Sequence, residues 1–281
     1  MQARSELLRL RGHRLVLVPT MGALHEGHLS LVREARKHGD TVIVSIFVNP
    51  TQFGPGEDFG RYPRRLEADI QALDSIGGVE AIFAPTAEEM YPSGDPSSGF
   101  GAWVEVTGLD RHLCGAHRPG HFKGVTTVVA KLFHACKPHA AVFGRKDAQQ
   151  FVILRRMVKD LLMDVDVVGA ATVRAEDGLA LSSRNEYLSE EERKQAPVLY
   201  RAVSEAARAI AAGEQRAAAV VESMLEKLGE EPLARVQYAE VVDAENLQPV
   251  DRFLPMSEVL AAVAVYFGNT RLIDNAFVRV P

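Results

Sequence analysis

The amino-acid sequence predicts an α/β fold built on a parallel sheet, and three observations support this prediction. Short apolar runs alternate with segments of helical periodicity over residues 15–170. The run Thr41–Val48 is β-branched and apolar on both faces, which is typical of a strand covered by helices on each side. A strand, a loop, a helix and a second strand fit within about 35 residues, the length of a β-α-β unit. Ligands of such sheets bind beyond the carboxyl ends of the strands, so the loops there are the first candidates for a site.

Each element of this region follows from its own pattern. Leu15–Val18 is a short apolar run that ends before Pro19, and the helix at Pro63–Ile76 begins at a proline and is followed by Gly77. The predicted strands are Leu15–Val18, Thr41–Val48, Glu80–Ala84, Ala140–Phe143 and Val165–Ala170. The predicted helices are His28–His38, Pro63–Ile76, Val125–Cys136 and Asp147–Leu161.

Beyond about residue 175 the pattern changes and predicts a smaller α+β domain. Ser189 and Glu192 form a capping box that opens a helical stretch, and Pro197 should kink or split that stretch. A further helix is predicted at Ala217–Leu228, with strands at Val236–Val242, Leu260–Phe267 and Arg271–Ile273. We therefore expect two domains, residues 1–174 and residues 175–281. The stretch 92–101, rich in glycine, proline and serine, is predicted to be a surface loop.

Length and composition restrict the class of protein. The 281 residues exceed one small domain, and 47% apolar with 25% charged residues is the mix of a globular protein with a sizeable core. The longest apolar run, Val259–Phe267, is far shorter than the roughly 20 residues of a membrane span. The first fourteen residues lack the apolar segment of a signal peptide. We therefore expect a cytoplasmic protein that binds no membrane.

Cysteine content and net charge limit the cellular compartment and the binding partners that the sequence predicts. Cys114 and Cys136 show no metal-ligand spacing, which favours a reducing compartment over a disulfide scaffold. The net charge of −5 disfavours binding to nucleic acid, because such proteins usually carry a basic excess. A small anionic ligand remains compatible with this charge.

The segment Met21–His28 (MGALHEGH) is the first candidate for chemistry, between a predicted strand and a predicted helix. A helix N-terminus offers unpaired N–H groups that suit phosphate. His25 and His28 are three residues apart, so both rings lie on one side of the first turn. The segment matches neither a GxGxxG fingerprint, nor a phosphate-binding P-loop, nor an HExxH zinc motif. A histidine pair with no role beyond the surface or the core would also explain it.

Further polar segments lie in loops between the predicted elements. Gly144–Gln150 (GRKDAQQ) follows a strand, and Lys146 there suits a phosphate. Leu181–Asn185 (LSSRN) combines hydroxyl groups with a forked guanidinium. Phe47–Phe53 (FVNPTQF) has two amides at a strand end, and Arg118–Phe122 (RPGHF) opens a helix. In isolation, a capped helix start explains Gly144–Gln150 equally well, and a turn before the capped helix explains Leu181–Asn185 better than a binding role. A turn also explains Phe47–Phe53, and Arg118–Phe122 has the same ambiguity.

Taken together and in this order, these segments resemble the pantothenate synthetase (pantoate–β-alanine ligase) family. The matching stretches are Val18–Leu31, Phe47–Phe53, Tyr62–Arg64, Arg118–Phe122, Gly144–Gln150 and Gly178–Asn185. His25–His28 also matches the HxGH motif of the wider nucleotidyltransferase superfamily. The resemblance implies ligation of (R)-pantoate and β-alanine through a pantoyl-adenylate, with ATP and Mg²⁺, by a homodimer. It further implies a Rossmann-like first domain and a C-terminal lid that excludes water.

The resemblance also implies roles for individual residues. The implied nucleotide-binding residues are Met21, Gly22, Ala23, Leu24, His25, Glu26, Gly27, His28, Gly144, Arg145, Lys146, Asp147, Val173, Leu181, Ser182, Ser183 and Arg184. Of these, His25, His28, Lys146 and Arg184 are implied to be catalytic, with His28 as the proton donor. The implied pantoate-binding residues are Asn49, Gln52, Arg118 and Gln150, and Gln52 is also implied to lie near β-alanine. Asp69 matches a family acid near the metal.

Three features depart from the family pattern. Ala68 precedes Asp69 where many members have a second acid, which weakens the implied metal contact. Leu181 replaces a methionine found in many relatives. Family members also have a strand and a helix ahead of the first motif, whereas Met1–Arg14 supplies little more than the helix, so we expect an internal start or a trimmed sheet edge.

Other functions are compatible with parts of the sequence. A nucleotidyltransferase acting on a phosphate or an alcohol would explain HEGH but not FVNPTQF together with GRKDAQQ. A catalytically silent nucleotide-binding module is expected to lack His28, Lys146 or Arg184, and all three are present. A zinc hydrolase is a more distant alternative, which metal analysis would reveal.

Overall fold

The computed structural model describes residues 1–94 and 101–281, so the centre of the predicted loop at 92–101 lies outside the described residues. The chain forms two compact units. The first unit comprises residues 1–107, 118–145 and 153–171. The second comprises residues 108–117, 146–152 and 172–281. The second unit thus includes two short segments from earlier in the chain as well as the C-terminal part.

The first unit contains a five-stranded parallel sheet with the strand order β3-β2-β1-β4-β5. Its strands are β1 (Leu15–Thr20), β2 (Thr41–Ile46), β3 (Ala81–Phe83), β4 (Ala140–Gly144) and β5 (Asp166–Ala170). Strand β1 lies at the centre and pairs with β2 from Leu15↔Thr41 to Thr20↔Ile46. The predicted α/β class with a parallel sheet is confirmed.

Helices cover both faces of this sheet. They include α1 (Gln2–Leu10), α2 (Glu26–Ala35), α3 (Leu66–Ile76) and α6 (His121–Cys136). The first unit also contains the short helix α4 (Ala87–Met90). Helix α5 (Leu113–His117) belongs to the second unit, and α7 (Ala148–Asp160) runs from the second unit into the first. Val16 and Val18 pack with Val32 of α2 on one face. Leu15 and Leu17 point to the other face, where α1 and α6 contact β1, and they are fully buried. Burial on both faces explains why the strands are apolar without alternation.

The second unit contains a three-stranded antiparallel sheet in the order β6-β7-β8. Its elements are α8 (Glu190–Gln195), α9 (Val198–Ala211), α10 (Ala217–Gly229), β6 (Arg235–Asp243), β7 (Glu258–Phe267) and β8 (Thr270–Arg279). Val263 and Val265 on β7 share a core with residues of α9 and α10. Ala262 and Ala264 on the opposite face of β7 are also buried, and α5 contacts this strand. Coverage on both faces accounts for the nine-residue apolar run of β7.

Several element boundaries differ from the sequence-based expectation. Helix α2 begins at Glu26, two residues early, because His25 caps it. By contrast, the predicted effect of Pro197 is confirmed, because the helical stretch is split there into α8 and α9. Helix α4, which Thr86 opens with a capping box, was not predicted. Strand β8 has ten residues where only Arg271–Ile273 was expected, because its mixed polar and apolar pattern hides the strand.

Cys114 and Cys136 are both free and buried. Within residues 1–94 and 101–281, no helix combines the length and the apolar character needed to cross a membrane.

Candidate active site

His25 and His28 lie at the N-terminus of α2, after the loop that follows β1, and form a reciprocal cap there. His25 Nδ1 accepts a hydrogen bond from Gly27 N at 3.1 Å, and His28 Nδ1 accepts one from His25 N at 3.3 Å. The ring centroids are 4.2 Å apart. Because each Nδ1 is an acceptor, the proton of each neutral ring is on Nε2. The cap therefore fixes both the orientation and the tautomer of the two imidazoles.

The loop ahead of this cap is held by Asp69 of α3. The carboxylate accepts hydrogen bonds from Ala23 N at 3.0 Å and from Leu24 N at 2.7 Å. Thr20 supports the same loop by accepting a hydrogen bond from Gly22 N at 3.2 Å. The residues predicted to hold nucleotide at 21–24 thus have an ordered backbone with internal partners.

Asn49 and Gln52 lie just beyond β2 in a hydrogen-bonded amide network. Asn49 Nδ2 donates to Gln52 Oε1 at 3.1 Å, and Gln52 Nε2 lies 3.2 Å from the sulfur of Met21. Asn49 is 1% exposed, and its Oδ1 accepts a hydrogen bond from the Tyr91 hydroxyl at 2.7 Å. The network orients the Gln52 amide with its Nε2 group toward Met21. Sequence reasoning missed Tyr91, because nothing in its local pattern distinguishes it from a core aromatic residue.

Helix α6 packs against the segment that carries Gln52. A Cβ atom at Gly124 would lie 2.3 Å from Thr51 O, so only glycine permits this close approach. Asn49 Nδ2 also donates to Gly124 O at 3.2 Å. His121 Nδ1 lies 2.7 Å from Gln52 O. The backbone and the side chain of Gln52 are therefore both fixed.

Arg118, predicted to bind pantoate, forms a bidentate ion pair with Glu57 in this structure. Arg118 Nε and Nη2 donate to the two Glu57 carboxylate oxygens at 2.7 and 2.5 Å. Burial raises the pKa of the Glu57 carboxyl, but the hydrogen bonds and charge of Arg118 outweigh it, and the pKa lies below its ordinary value. Arg118 Nη2 also lies 3.4 Å from Gln52 O. Arg118 thus braces the Gln52 segment.

The loop that carries Lys146 forms a short 3₁₀ turn at Arg145–Asp147 before α7. Lys146 Nζ lies 3.6 Å from Asp147 Oδ1. The Lys146 carbonyl accepts a hydrogen bond from Asn275 Nδ2 of β8 at 2.7 Å. The position of this lysine therefore depends on a strand that follows it by more than a hundred residues.

The two glutamines of GRKDAQQ have different surroundings. Gln149 is buried, and its Nε2 donates to Leu109 O at 2.8 Å and to His112 O at 2.9 Å. Gln150, the predicted pantoate ligand, lies in the first turn of α7 and is partly exposed. Gln149 therefore anchors the chain, whereas Gln150 is accessible to a ligand.

Val173 and Leu181 lie at the base of a hairpin at the start of the C-terminal part, and Ser183 and Arg184 follow it in a 3₁₀ helix, Ser183–Tyr187. Leu181 N donates to Val173 O at 3.0 Å. The guanidinium of Arg174 binds both carboxylate oxygens of Asp274 at 2.6 and 2.9 Å, and Asp274 is 2% exposed. Arg174 also lies over the Tyr200 ring at 4.2 Å. This buried pair fixes the hairpin that presents Leu181–Arg184.

The predicted site residues therefore form two groups, one in each unit. The first unit brings together Met21–His28, Asn49, Gln52, Asp69 and Arg118, with Gly144 and Arg145 at the end of β4. The second unit contains Lys146, Asp147, Gln150, Val173 and Leu181–Arg184. In the part of the chain that the structure describes, no three His, Cys, Asp or Glu side chains are grouped so that they could hold a metal ion.

Comparison with known proteins gives a consistent result. The family model described as pantoate-beta-alanine ligase matches residues 1–277. A pantothenate synthetase from Salinibacter ruber is 63% identical over 283 aligned residues, which cover 100% of this chain and 96% of that protein. A pantothenate synthetase from Moorella thermoacetica is 52% identical and covers 97% of this chain and 93% of its own length.

Solved structures resemble the chain over nearly its whole length. The crystal structure of pantothenate synthetase from Thermus thermophilus has a TM-score of 0.88 at 48% identity, covering 97% of this chain and 96% of that chain. The structure of pantoate-beta-alanine ligase from Francisella tularensis, complexed with beta-gamma ATP and beta-alanine, has a TM-score of 0.75 at 33% identity and covers 98% and 94%.

Proposed function

The chain belongs to the pantoate–β-alanine ligase family, and we propose how its residues carry out the reaction. The enzyme is an ATP-dependent ligase that joins pantoate and β-alanine to give pantothenate. In the first step, a carboxylate oxygen of pantoate bonds to the α-phosphorus of ATP, and pyrophosphate leaves. In the second step, the amine of β-alanine attacks the acyl carbon of the pantoyl-adenylate, AMP leaves, and the amine releases a proton.

The observation that carries this proposal is the capped histidine pair at the start of α2. Each ring accepts a backbone hydrogen bond through Nδ1, which leaves its proton on Nε2. Charge develops on the phosphoryl oxygens during adenylation, and preoriented donors stabilise it without reorganising. His28 acts as the proton donor and His25 assists it. Lys146 and Arg184 supply positive charge to phosphate oxygens of ATP.

We assign pantoate recognition to the side-chain amides of Gln52 and Gln150. The Gln52 amide is oriented by Asn49 and presents its N–H group near Met21. Gln150 is partly exposed in the first turn of α7. An amide both donates and accepts hydrogen bonds, which suits the hydroxyl and carboxylate groups of pantoate. Arg118 supports this subsite by holding the Gln52 carbonyl, and Gln52 also lies near the β-alanine amine during the second step.

We assign nucleotide binding to the residues that the family resemblance implies. They are Met21–His28, Gly144, Arg145, Lys146, Asp147, Val173, Leu181, Ser182, Ser183 and Arg184. The fixed backbone of the 21–24 loop and of the Val173–Leu181 hairpin supports this assignment, because preorganised loops lose little freedom on binding. A lid role for residues 175–281 is proposed on chemical grounds, since the adenylate must be protected from water.

Magnesium enters this proposal as the partner of ATP and not as a resident metal. Asp69 fits a metal ligand poorly, because both of its carboxylate oxygens accept backbone hydrogen bonds. Mg²⁺ usually keeps several waters and binds substrate phosphates in such sites. We therefore assign the ion to the ATP phosphates and derive no step from a protein-bound metal.

The proposal also covers the oligomeric state and the cellular location of the enzyme. We propose a cytoplasmic homodimer that binds neither membrane nor nucleic acid, in keeping with the net charge of −5 and the reduced, buried cysteines. Light scattering of the purified enzyme measures the mass directly, and a monomer at working concentration would contradict the dimer.

Isotope exchange tests the intermediate. With pantoate present and β-alanine absent, labelled pyrophosphate should exchange into ATP, because adenylation is reversible. Release of AMP should then require β-alanine. Exchange that depends on β-alanine would indicate a concerted reaction and contradict the adenylate. An enzyme that forms no pantothenate from the three substrates would contradict the proposed function as a whole.

A further inference from the structure

Asp69 binds two consecutive peptide groups of the loop that precedes α2. Its Oδ2 accepts from Ala23 N at 3.0 Å, and its Oδ1 accepts from Leu24 N at 2.7 Å. Asp69 lies in the first turn of α3 and is 3% exposed. Each carboxylate oxygen therefore has a backbone partner in a site that is closed to bulk solvent.

The loop has a strained backbone conformation at the residues that Asp69 contacts. Gly22 has φ 81° and Ala23 has φ 50°, so two successive residues are left-handed. Alanine in this conformation costs about 1 kcal/mol or more. Successive backbone N–H groups in a turn can form a concavity that binds an anion, and the N–H groups of Ala23 and Leu24 both donate to Asp69. In this structure the anion is a protein carboxylate.

The fit between loop and carboxylate is tight. A Cβ atom at Gly22 would lie 2.8 Å from Asp69 Oδ2 and 3.1 Å from Cγ2 of Ile46. Glycine at position 22 thus serves both the left-handed backbone and the approach of the acid. His25, whose side chain caps α2, follows Leu24 directly.

We propose that Asp69 is a positioning residue, which fixes the Met21–Leu24 backbone and through it the His25–His28 cap, and that it is not a metal ligand. The proposal rests on the ligase function stated above. It also assigns the N–H groups of Ala23 and Leu24 to Asp69, so ATP phosphates are contacted by other donors of this segment.

The chemistry of the side chain predicts how substitution will act. Asparagine has the same shape but only one acceptor oxygen, so its NH₂ group would face a second N–H donor. A buried N–H group without an acceptor is costly, and the loop will leave its strained conformation to satisfy it. The histidine cap then loses its fixed start, and small displacements of catalytic groups reduce rates strongly.

Amide hydrogen exchange on the full-length enzyme, freed of divalent metal by a chelator, tests the proposal without any activity measurement. The wild type should protect the amides of Ala23 and Leu24, and Asp69→Asn should lose this protection. Asp74→Asn is the matched control, because Asp74 is an exposed acid on the same helix. Unprotected amides at both positions of the wild type would overturn the proposal, even where the variant fails to fold.

Kinetics of the same variants separate positioning from metal binding. Asp69→Asn should lower kcat roughly tenfold or more, while the Mg²⁺ concentration for half-maximal activity stays within about twofold of the wild type. Asp74→Asn should match the wild type in both quantities. A large increase in the Mg²⁺ requirement, with the two amides still protected, would make Asp69 a metal ligand. A normal kcat in Asp69→Asn, together with loss of protection at the Ala23 and Leu24 amides, would contradict the positioning role of Asp69.

The exchange experiment does not depend on ligase activity, so failure of this proposal and failure of the ligase function can be distinguished. If the wild type forms no pantothenate, the function is wrong, and the exchange experiment still decides whether Asp69 fixes the loop. If the wild type is active and Asp69→Asn is normal in all measurements, the positioning role fails and the ligase function stands.

Discussion

Asn275 on β8 donates a hydrogen bond from Nδ2 to the backbone carbonyl of Lys146, with a distance of 2.7 Å. Its neighbour Asp274 binds the guanidinium of Arg174, on the hairpin that leads to Leu181–Arg184. Two adjacent residues of one strand therefore hold the two loops that carry Lys146 and Arg184. Because both cations are proposed to act on phosphate oxygens of ATP, β8 serves as their common support.

Replacement of Asn275 by aspartate should reduce kcat/KM for ATP roughly tenfold, on the scale of misplacing a charged group at the reaction centre. The shape is kept, but an oxygen replaces the donor and faces the Lys146 carbonyl. Initial rates at varied ATP measure the effect. Arg279→Gln, at the exposed end of the same strand, is the control and should behave as the wild type. Unchanged ATP kinetics in Asn275→Asp would show that the contact does not position Lys146.

Tyr91→Phe should raise the KM for pantoate several-fold and leave the KM for ATP nearly unchanged. The variant removes the hydroxyl that donates to Asn49 Oδ1, and Asn49 in turn orients Gln52. Thr51 also donates to Asn49 Oδ1, at 3.0 Å, so we expect a partial loss. The double variant Tyr91→Phe with Thr51→Val should lose more than either alone. An ATP effect without a pantoate effect would contradict the role assigned to this network.

The Glu57–Arg118 ion pair should make stability depend on pH. The folded-state pKa of Glu57 is lowered from 4.5, so the pair contributes stability above that value and loses it as the pH falls through the folded pKa. Glu57→Gln should therefore cost about 1 kcal/mol of unfolding free energy near neutral pH, and less at acid pH. Denaturant unfolding at several pH values measures the difference. Asp160→Asn, which breaks the exposed pair with Arg156, should cost little at any pH.

Local sequence patterns predicted the sheet and the position of its loops well. Apolar runs located all five parallel strands, and the runs are clearest in β1, β2 and β4, which are buried on both faces and therefore show no alternation. The spacing of His25 and His28 indicated that both rings lie on one turn. Their reciprocal cap was not predictable, because histidine is not among the usual N-cap residues.

The supporting residues of the site were missed for a different physical reason. Tyr91, Asp274 and Asn275 act through partners far away in sequence, and Asn275 is 129 positions from Lys146. Strand β8 carries such polar residues among apolar ones, so its pattern suggested a strand of three residues instead of ten. Contacts of this kind are set by tertiary packing, which periodicity does not report.

The histidine cap leads to the last prediction, which separates the structural and catalytic roles of His28. Its Nδ1 accepts a hydrogen bond from His25 N, whereas its Nε2 carries the proton proposed for catalysis. His28→Ala removes both groups and should lower adenylation by about 100-fold or more. His28→Asn places an acceptor near the Nδ1 position, so it should keep the helix cap and thermal stability while losing the rate. His28→Gln extends an N–H donor toward the Nε2 position and should recover part of the rate.

Pyrophosphate exchange measures adenylation in each variant, and thermal unfolding reports the cap. His134→Asn, an exposed histidine on α6, is the control for histidine replacement and should change neither quantity. If His28→Asn retains most of the wild-type exchange rate, the Nε2 proton is not required, and the cap alone explains this histidine. If His28→Asn loses both the exchange rate and the thermal stability, an acceptor near the Nδ1 position does not keep the cap. The assigned geometry of the cap is then wrong.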